Sequence, residues 1–278
     1  MSALRAYLRH PSGVVGLALL LVIVVVAILA PVLAPVDPWE MVGAPFERPF
    51  GPDLWLGSDT LGRDIAAGIA HGARVSLAIG LSSTLAALGI GVTVGTLAGY
   101  CGGLVDDALM RVAELFQTIP GFILAVLLVA TLGPSLGHEI LAIAVVSWPP
   151  LARLTRGEFM RLKGREFVRA AICQGERPAA VILRHILPNA VAPILVTGSL
   201  TVATAILIES ALSFLGLGDP NLMSWGYMVG AARTVIRQAW WMSVFPGAAI
   251  LVTVLAINLV GEALNDALNP RLSRSGRA

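Results

Sequence analysis

Residues Gly13 to Ala34 read GVVGLALLLVIVVVAILAPVLA and carry no charged side chain. About 20 apolar residues in helical form cross the roughly 30 Å hydrocarbon core of a bilayer. A helix greasy on every side has no stable place on a water-facing surface. Five more apolar runs follow: Ser76 to Tyr100, Leu109 to Leu132, Ile140 to Ala152, Ala190 to Leu215 and Ser243 to Leu264. The fourth is short and interrupted by Pro149–Pro150, and is expected to extend at both ends. Over the 278 residues, 56% are hydrophobic and 13% charged, against about 25% charged in soluble domains. In lipid every backbone polar group must be bonded within the chain, which favours helices. No ten-residue stretch alternates at period two, so a β-barrel is not indicated. The expectation is an all-α membrane protein with six transmembrane helices forming one bundle. The first run exceeds the usual length of a signal-peptide core, so it is expected to remain as an anchor.

Orientation follows from the basic residues of the short connections. With the N-terminus in the cytoplasm, only Arg48, Arg63, Arg74, Arg233 and Arg237 of the 19 Lys and Arg lie outside. Both termini are therefore placed inside, in the cytoplasmic membrane of a cell. The expected division is an inner N-terminus 1–12, a first helix 13–35 and an outer segment 36–75. A five-helix core 76–266, carrying an inner loop 158–189, and an inner tail 267–278 complete it. Outer segments 36–74 and 216–242 are too long to be simple turns. Trp39, Trp55, Trp225, Trp240 and Trp241 fall where an outer aromatic belt would form. Cys101 and Cys173 fall inside, where thiols stay reduced. They are expected to be small buried or loop thiols, not a disulfide or a metal site.

Few groups carry chemistry. Gly91, Gly95, Gly99 and Gly103 recur every fourth residue, a row that lets a second helix approach closely. That helix belongs either to the same chain or to a partner subunit. Glu209 lies in the apolar run ATAILIESALSFLGLG. A carboxylate there lines a pathway or is hydrogen-bonded near the outer end of its helix. Glu114 and Glu262 sit nearer the inner ends of their spans. There is no HExxH, GxSxG or GxxxxGK[ST] pattern, so no catalytic residue and no nucleotide phosphate loop is indicated. If ATP drives this chain, another subunit supplies the site.

The stretch Glu166 to Asn189, EFVRAAICQGERPAAVILRHILPN, concentrates charge between apolar runs. Glu166 to Gln174 reads as a short helix with Phe167, Ala170 and Ala171 on one side. Gly175 suits the position just past a helix end. Pro178 suits the start of a second helix, whose apolar stripe is Val181, Ile182 and Ile186. Leu187–Pro188–Asn189 is expected to turn the chain into the fifth span. Such a basic amphipathic pair lies on anionic lipid or plugs into a groove of a soluble partner.

The same stretch resembles the cytoplasmic EAA loop of ABC-importer permeases, with Arg169–Ala170–Ala171, then Gly175, then Ile186–Leu187–Pro188. Three further stretches are similar to the second permease subunit of dipeptide, oligopeptide and nickel importers: LGSDTLGRDIAAGIAHGARVSL from Leu56, LSFLGLGDPNLMSW from Leu212 and NLVGEALNDALNPR from Asn258. Arg169 stands where that family has an acidic residue, Gln174 where Leu is common, and Glu262, Asn265 and Asn269 where Asp, Arg and Asp are usual.

The resemblance implies a type I importer permease fold. It implies ATPase coupling through Glu166, Arg169, Ala170, Ala171, Gly175, Ile186, Leu187 and Pro188. Glu209, Ser213 and Phe214 are candidates for the pathway or outer gate. The implied partners are a homologous permease subunit, two ABC ATPase subunits that bind ATP and Mg, and an extracytoplasmic substrate-binding protein. Membrane lipid surrounds the chain, and nucleic acid is not among the implied partners. Peptides, nickel chelates, glutathione and opine-like compounds all fit as cargo. The rival is an ion-driven secondary transporter, which needs ionisable groups at mid-membrane in related halves; only Glu209 is a candidate for one.

Overall fold

The computed structural model describes Tyr7, 10–52 and 54–268. Arg5, Arg9, the tail arginines Arg271, Arg274 and Arg277, and the end of the last motif lie outside the described residues. The chain is helical throughout, with only two isolated bridges, Met41 to Arg63 and Ser58 to Asp64, among the described residues. The elements are α1 (Pro11–Leu33), α2 (Ile65–Cys101), α3 (Gly103–Thr118), α4 (Gly121–Leu132), α5 (Leu136–Lys163) and α6 (Glu166–Cys173). Next come α7 (Pro178–Phe214), α8 (Trp225–Ala232) and α9 (Trp241–Leu268).

Four helices, α1, α2, α7 and α9, are long and apolar enough to cross a membrane, and the bent pair α3 and α4 makes a fifth if counted as one span. The expected third span, Leu109 to Leu132, is therefore two helices bent by 82°. Pro120 explains the break: its ring drives Ile119 out of the helical region, to φ −96° and ψ 133°. The fourth run is not interrupted. α5 continues unbroken through Pro149 and Pro150 for 28 residues, about 42 Å at 1.5 Å per residue. Its charged residues at both ends keep it outside the composition that marks the other spans.

The glycine row closes within the chain. A Cβ on Gly91 would lie 2.7 Å from the Leu151 Cβ, and one on Gly99 would lie 2.7 Å from the Arg156 carbonyl oxygen. Gly95 rests on Ala152 and Thr155. The row thus seats α2 against α5 at backbone distance. Gly103 is not part of it; it starts α3 at φ +54° with no neighbour within 4 Å of a Cβ.

α1 packs through Gly13 and Gly16 on α9 and leaves Leu21, Val22, Ile28 and Val32 exposed, as a lipid-facing helix does. α2 begins at Ile65, within the stretch 36–75 expected to precede the second span. What remains is held by polar side chains. Ser58 Oγ donates to the Ala44 carbonyl at 2.6 Å and accepts from the Glu47 amide at 2.8 Å. Asp59 accepts from the amides of Leu61 and Arg63 at 2.8 and 2.9 Å. Gly57 and Gly62, both at φ +80°, make the turns between them. These residues are the LGSDTLGRD motif, whose conformation only glycine adopts freely at those two positions.

One expectation about exposed side chains fails. Trp225 and Trp241 are 2% and 3% exposed, so they belong to the core under segments 34–64 and 215–240 and not to a belt. Their indole N–H groups find carbonyls, of Ile69 at 3.0 Å and Ser58 at 3.1 Å, as a buried Trp requires. Cys101 and Cys173 are both free and exposed.

Candidate coupling loop and buried polar cluster

α5, α6 and the start of α7 build the first candidate site. α6 carries Glu166 in its first turn, which favours the helix dipole. It ends in a Schellman motif: the Glu176 amide reaches the Ala171 carbonyl at 3.2 Å and the Gly175 amide reaches Ile172 at 3.0 Å. Gly175 takes φ +79°, the left-handed value the motif needs. Pro178 then starts α7.

The buried face of α6 takes only Ala171 from the group Phe167, Ala170 and Ala171. Val168 and Ala171 point inward, at 0% and 4% exposure, whereas Phe167 is 45% exposed and Ala170 is exposed too. Helical spacing allows several faces, and tertiary packing selects one. The inward pair joins Phe159 and Leu162 of α5 and Val181, Ile186 and Ala190 of α7 in a single apolar cluster. α6 is thereby fastened to two long helices. Its free face carries Glu166, Phe167, Arg169, Ala170 and Ile172.

Leu187–Pro188–Asn189 is not a turn. The helix runs from Pro178 straight through it, winding as a π-helix over Val181–Ile186. The Leu187 amide bonds to the Ile182 carbonyl, five residues back. A proline ring clashes with the carbonyl four residues before it. The wider winding just ahead of Pro188 makes room for it, and Asn189 Nδ2 donates to the His185 carbonyl at 2.7 Å. His185 Nε2 also meets Glu176 Oε2 at 3.0 Å across the break between helices.

Open clefts flank this end. One, of about 530 Å³, is lined by Asp107, Met110, Arg111, Glu114, Arg153 and Arg156. Another, of about 480 Å³, includes Asp106, Met160, Lys163 and Arg169. Between them Arg156 holds Asp106 in a two-point ion pair at 2.5 and 2.6 Å, tying α3 to α5. Such forked pairing is the stronger kind of charged hydrogen bond.

The second candidate site is at the other end of α5 and α7. Glu209 is fully buried. Its carboxylate accepts from Ser213 at 3.0 Å, Ser210 at 3.3 Å and Ser76 at 3.4 Å. Ser76 also accepts from the Trp225 amide at 3.2 Å, linking α2, α7 and α8. Ser213 is 7% exposed and beside Glu209, whereas Phe214 is 40% exposed. The structure thus brings Glu209 and Ser213 together and leaves Phe214 facing outward. A second carboxylate, Glu139 of α5, is 1% exposed and was not singled out by sequence. The signal available was an acidic residue four places after Ser135, which caps α5 through the His138 amide at 3.3 Å.

The chain belongs to the family described as the binding-protein-dependent transport system inner membrane component, which it matches over residues 91–274. Residues 1–47 match the N-terminal TM domain of oligopeptide transport permease C, so within the family the chain is of the second-permease type of ABC importers. It is 40% identical to the di/tripeptide transport system permease protein DppC of Pseudomonas aeruginosa, over 98% of this chain and 92% of that one. It is 36% identical to the oligopeptide transport system permease protein OppC of Bacillus subtilis, over 98% and 90%. Against the glutathione transport system permease protein GsiD of Pectobacterium atrosepticum the identity is 38%, over 96% and 90%. Among solved structures, the inward-facing MetNI methionine ABC transporter shares the fold, at TM-score 0.60 and 20% identity over 72% of this chain and 96% of that one.

Proposed function

We propose that the chain is one permease subunit of an ATP-driven importer carrying di- and oligopeptides across the cytoplasmic membrane. Its near full-length likeness to peptide permeases carries this reading, at 40% identity over 98% of the chain. In it, α1, α2, the bent pair α3 and α4, α5, α7 and α9 serve as six membrane segments of a type I importer permease. Both termini lie in the cytoplasm. The segments divide as 1–12, 13–35, 36–75, 76–266 with the coupling loop 158–189, and 267–278.

The partner permease is homologous, and the pathway runs between the two. Two ATPase subunits bind ATP and Mg, and one of them docks on the free face of α6, where Glu166, Phe167, Arg169 and Ala170 are exposed. Gly175 and the Ile186–Leu187–Pro188 segment hold that face at a set angle to α7. A binding protein delivers cargo to the outer segments. Glu209, Ser213 and Phe214 serve at the outer gate, and this chain contributes transport without catalysis. Domain closure of the ATPases moves α6, and packed helices then shift as rigid bodies.

The test is uptake by the purified complex in proteoliposomes. ATP-dependent uptake of labelled dipeptides and tripeptides that requires the binding protein is expected. Uptake driven by an ion gradient without ATP would overturn the mechanism. A binding protein that takes glutathione or nickel chelates but not peptides would overturn the cargo.

A further inference from the structure

The N-terminus of α5 and the outer segment after α7 hold each other through two side chains, Glu139 and Asp219. Glu139 Oε1 accepts from the Asp219 amide at 2.8 Å. Asp219 Oδ2 accepts in return from the Leu136 amide at 3.2 Å, the first amide of α5. Helices leave their first amides without partners inside the helix, and a capping box satisfies two such groups reciprocally within one segment. Here the same reciprocity spans 80 and 83 residues of sequence. Glu139 is buried, so its carboxylate has little water to turn to if the Asp219 amide is lost.

The segment beyond Asp219 is seated as closely. A Cβ on Gly226 would lie 2.6 Å from Ser210 Cα, and one on Gly230 would lie 3.0 Å from the Ser213 carbonyl oxygen. At the opposite end, α5 and α7 are joined by the cluster that holds α6. Near the clip itself, Ile143 of α5 shares an apolar cluster with Ala205 and Leu212 of α7. The two helices are therefore fastened to each other at both ends.

We propose that Glu139 and Asp219 form a clip that makes the outer segment 216–232 move with the coupling helix α6. Both are positioning residues: they touch neither cargo nor nucleotide. The clip makes α5, α6 and α7 one lever, so that docking of a loaded binding protein outside is felt at the ATPase face inside. This rests on the reading of the chain as an ATP-driven permease.

The experiment measures ATP hydrolysis by the complete complex in lipid nanodiscs, with and without cargo-loaded binding protein. Glu139→Leu is expected to keep assembly and basal hydrolysis while stimulation by the loaded binding protein falls about fivefold, the equivalent of one net hydrogen bond. Glu139→Gln keeps a carbonyl acceptor for the Asp219 amide and is expected to restore most of the stimulation. A merely structural role would not separate stimulated from basal hydrolysis. Asp219→Ala removes only the Leu136 half and is expected to lose less. Unchanged stimulation in an assembled Glu139→Leu complex overturns the clip. If that variant fails to assemble, Asp219→Ala decides: reduced stimulation supports the clip and unchanged stimulation overturns it. Failure of both to assemble also overturns it, because the contact then serves folding. The wild-type complex keeps the two failures apart, since absent ATP-driven uptake there removes the transport reading whatever the variants do.

Discussion

The segment 174–177 after α6 and the segment 215–224 after α7 begin alike and end differently. Each follows a helix closed by a Schellman motif, at Gly175 with φ +79° and at Gly216 with φ +81°. In the second the Leu217 amide reaches Leu212 at 3.0 Å and the Gly216 amide reaches Ser213 at 2.9 Å. After Gly175 the chain stays in the open, and α6 keeps most of its surface exposed. After Gly216 it folds back into a cradle of α2, α5 and α7, with Met223, Ser224 and Trp225 buried. The difference lies in what the following residues can bury. Gly218, Gly226 and Gly230 permit backbone contact with α7, whereas Glu176, Arg177 and Arg184 favour water. One turn therefore presents a face and the other closes one.

This contrast breaks most sharply at glycine. Gly226→Val places a branched side chain against the Ser210 backbone, where even a Cβ would sit at 2.6 Å. The expected outcome is loss of folded protein, since overpacking by several atoms costs about 1–3 kcal/mol or more. Yield from detergent gel filtration checks it. Gly175→Val meets no atom within 4 Å and fails only through its backbone, at about 1–2 kcal/mol. The expected result is folded protein with ATP hydrolysis uncoupled from uptake. Gly175→Asn, which tolerates the left-handed region, should retain uptake, and equal uptake by the Val variant would remove the turn's role.

The two faces of α6 sharpen the comparison further. Val168→Ala should lower thermal stability by about 2 kcal/mol through the cavity it leaves, with ATPase affinity little changed. Phe167→Ala should do the reverse, leaving the melting temperature alone and weakening ATPase capture in a pull-down. The smallest effect is expected of Glu176→Gln. That residue pairs with His185 at 3.0 Å while about a third exposed, and such pairs contribute about 0–1 kcal/mol. A melting temperature lowered as far as by Val168→Ala would contradict this.

Much of the helix content was legible because apolar runs of membrane length have few alternatives. The errors were local and had local causes. Pro120 and Pro188 carry the same chemistry, yet one breaks its helix by 82° and the other is absorbed by π winding. Pro120 is followed by Gly121, a turn dipeptide, and Pro188 by Asn189; the packing runs the same way, since Ile186 and Ala190 around Pro188 are buried while Ile119 is exposed. The candidate coupling residues were named from a motif, but the choice of Val168 over Phe167 as the anchor was not visible. Glu209 stood out as a charge in an apolar run. Glu139 did not, because an acidic residue in the first turn of a helix is ordinary in sequence and unusual only once buried.

Hydrophobic runs and turn residues were enough to show that this chain lives in lipid, that most of its helices are long, and that Gly175 ends a short one. Those outcomes follow from hydrophobicity and backbone sterics, which act over a few residues. The tertiary structure alone decided that the glycine row of α2 faces α5, that α6 shows Phe167 and hides Val168, and that Glu139 meets Asp219. These depend on which surfaces meet once separate helices pack, across 80 residues of chain in the case of Glu139 and Asp219, and no local pattern encodes that meeting.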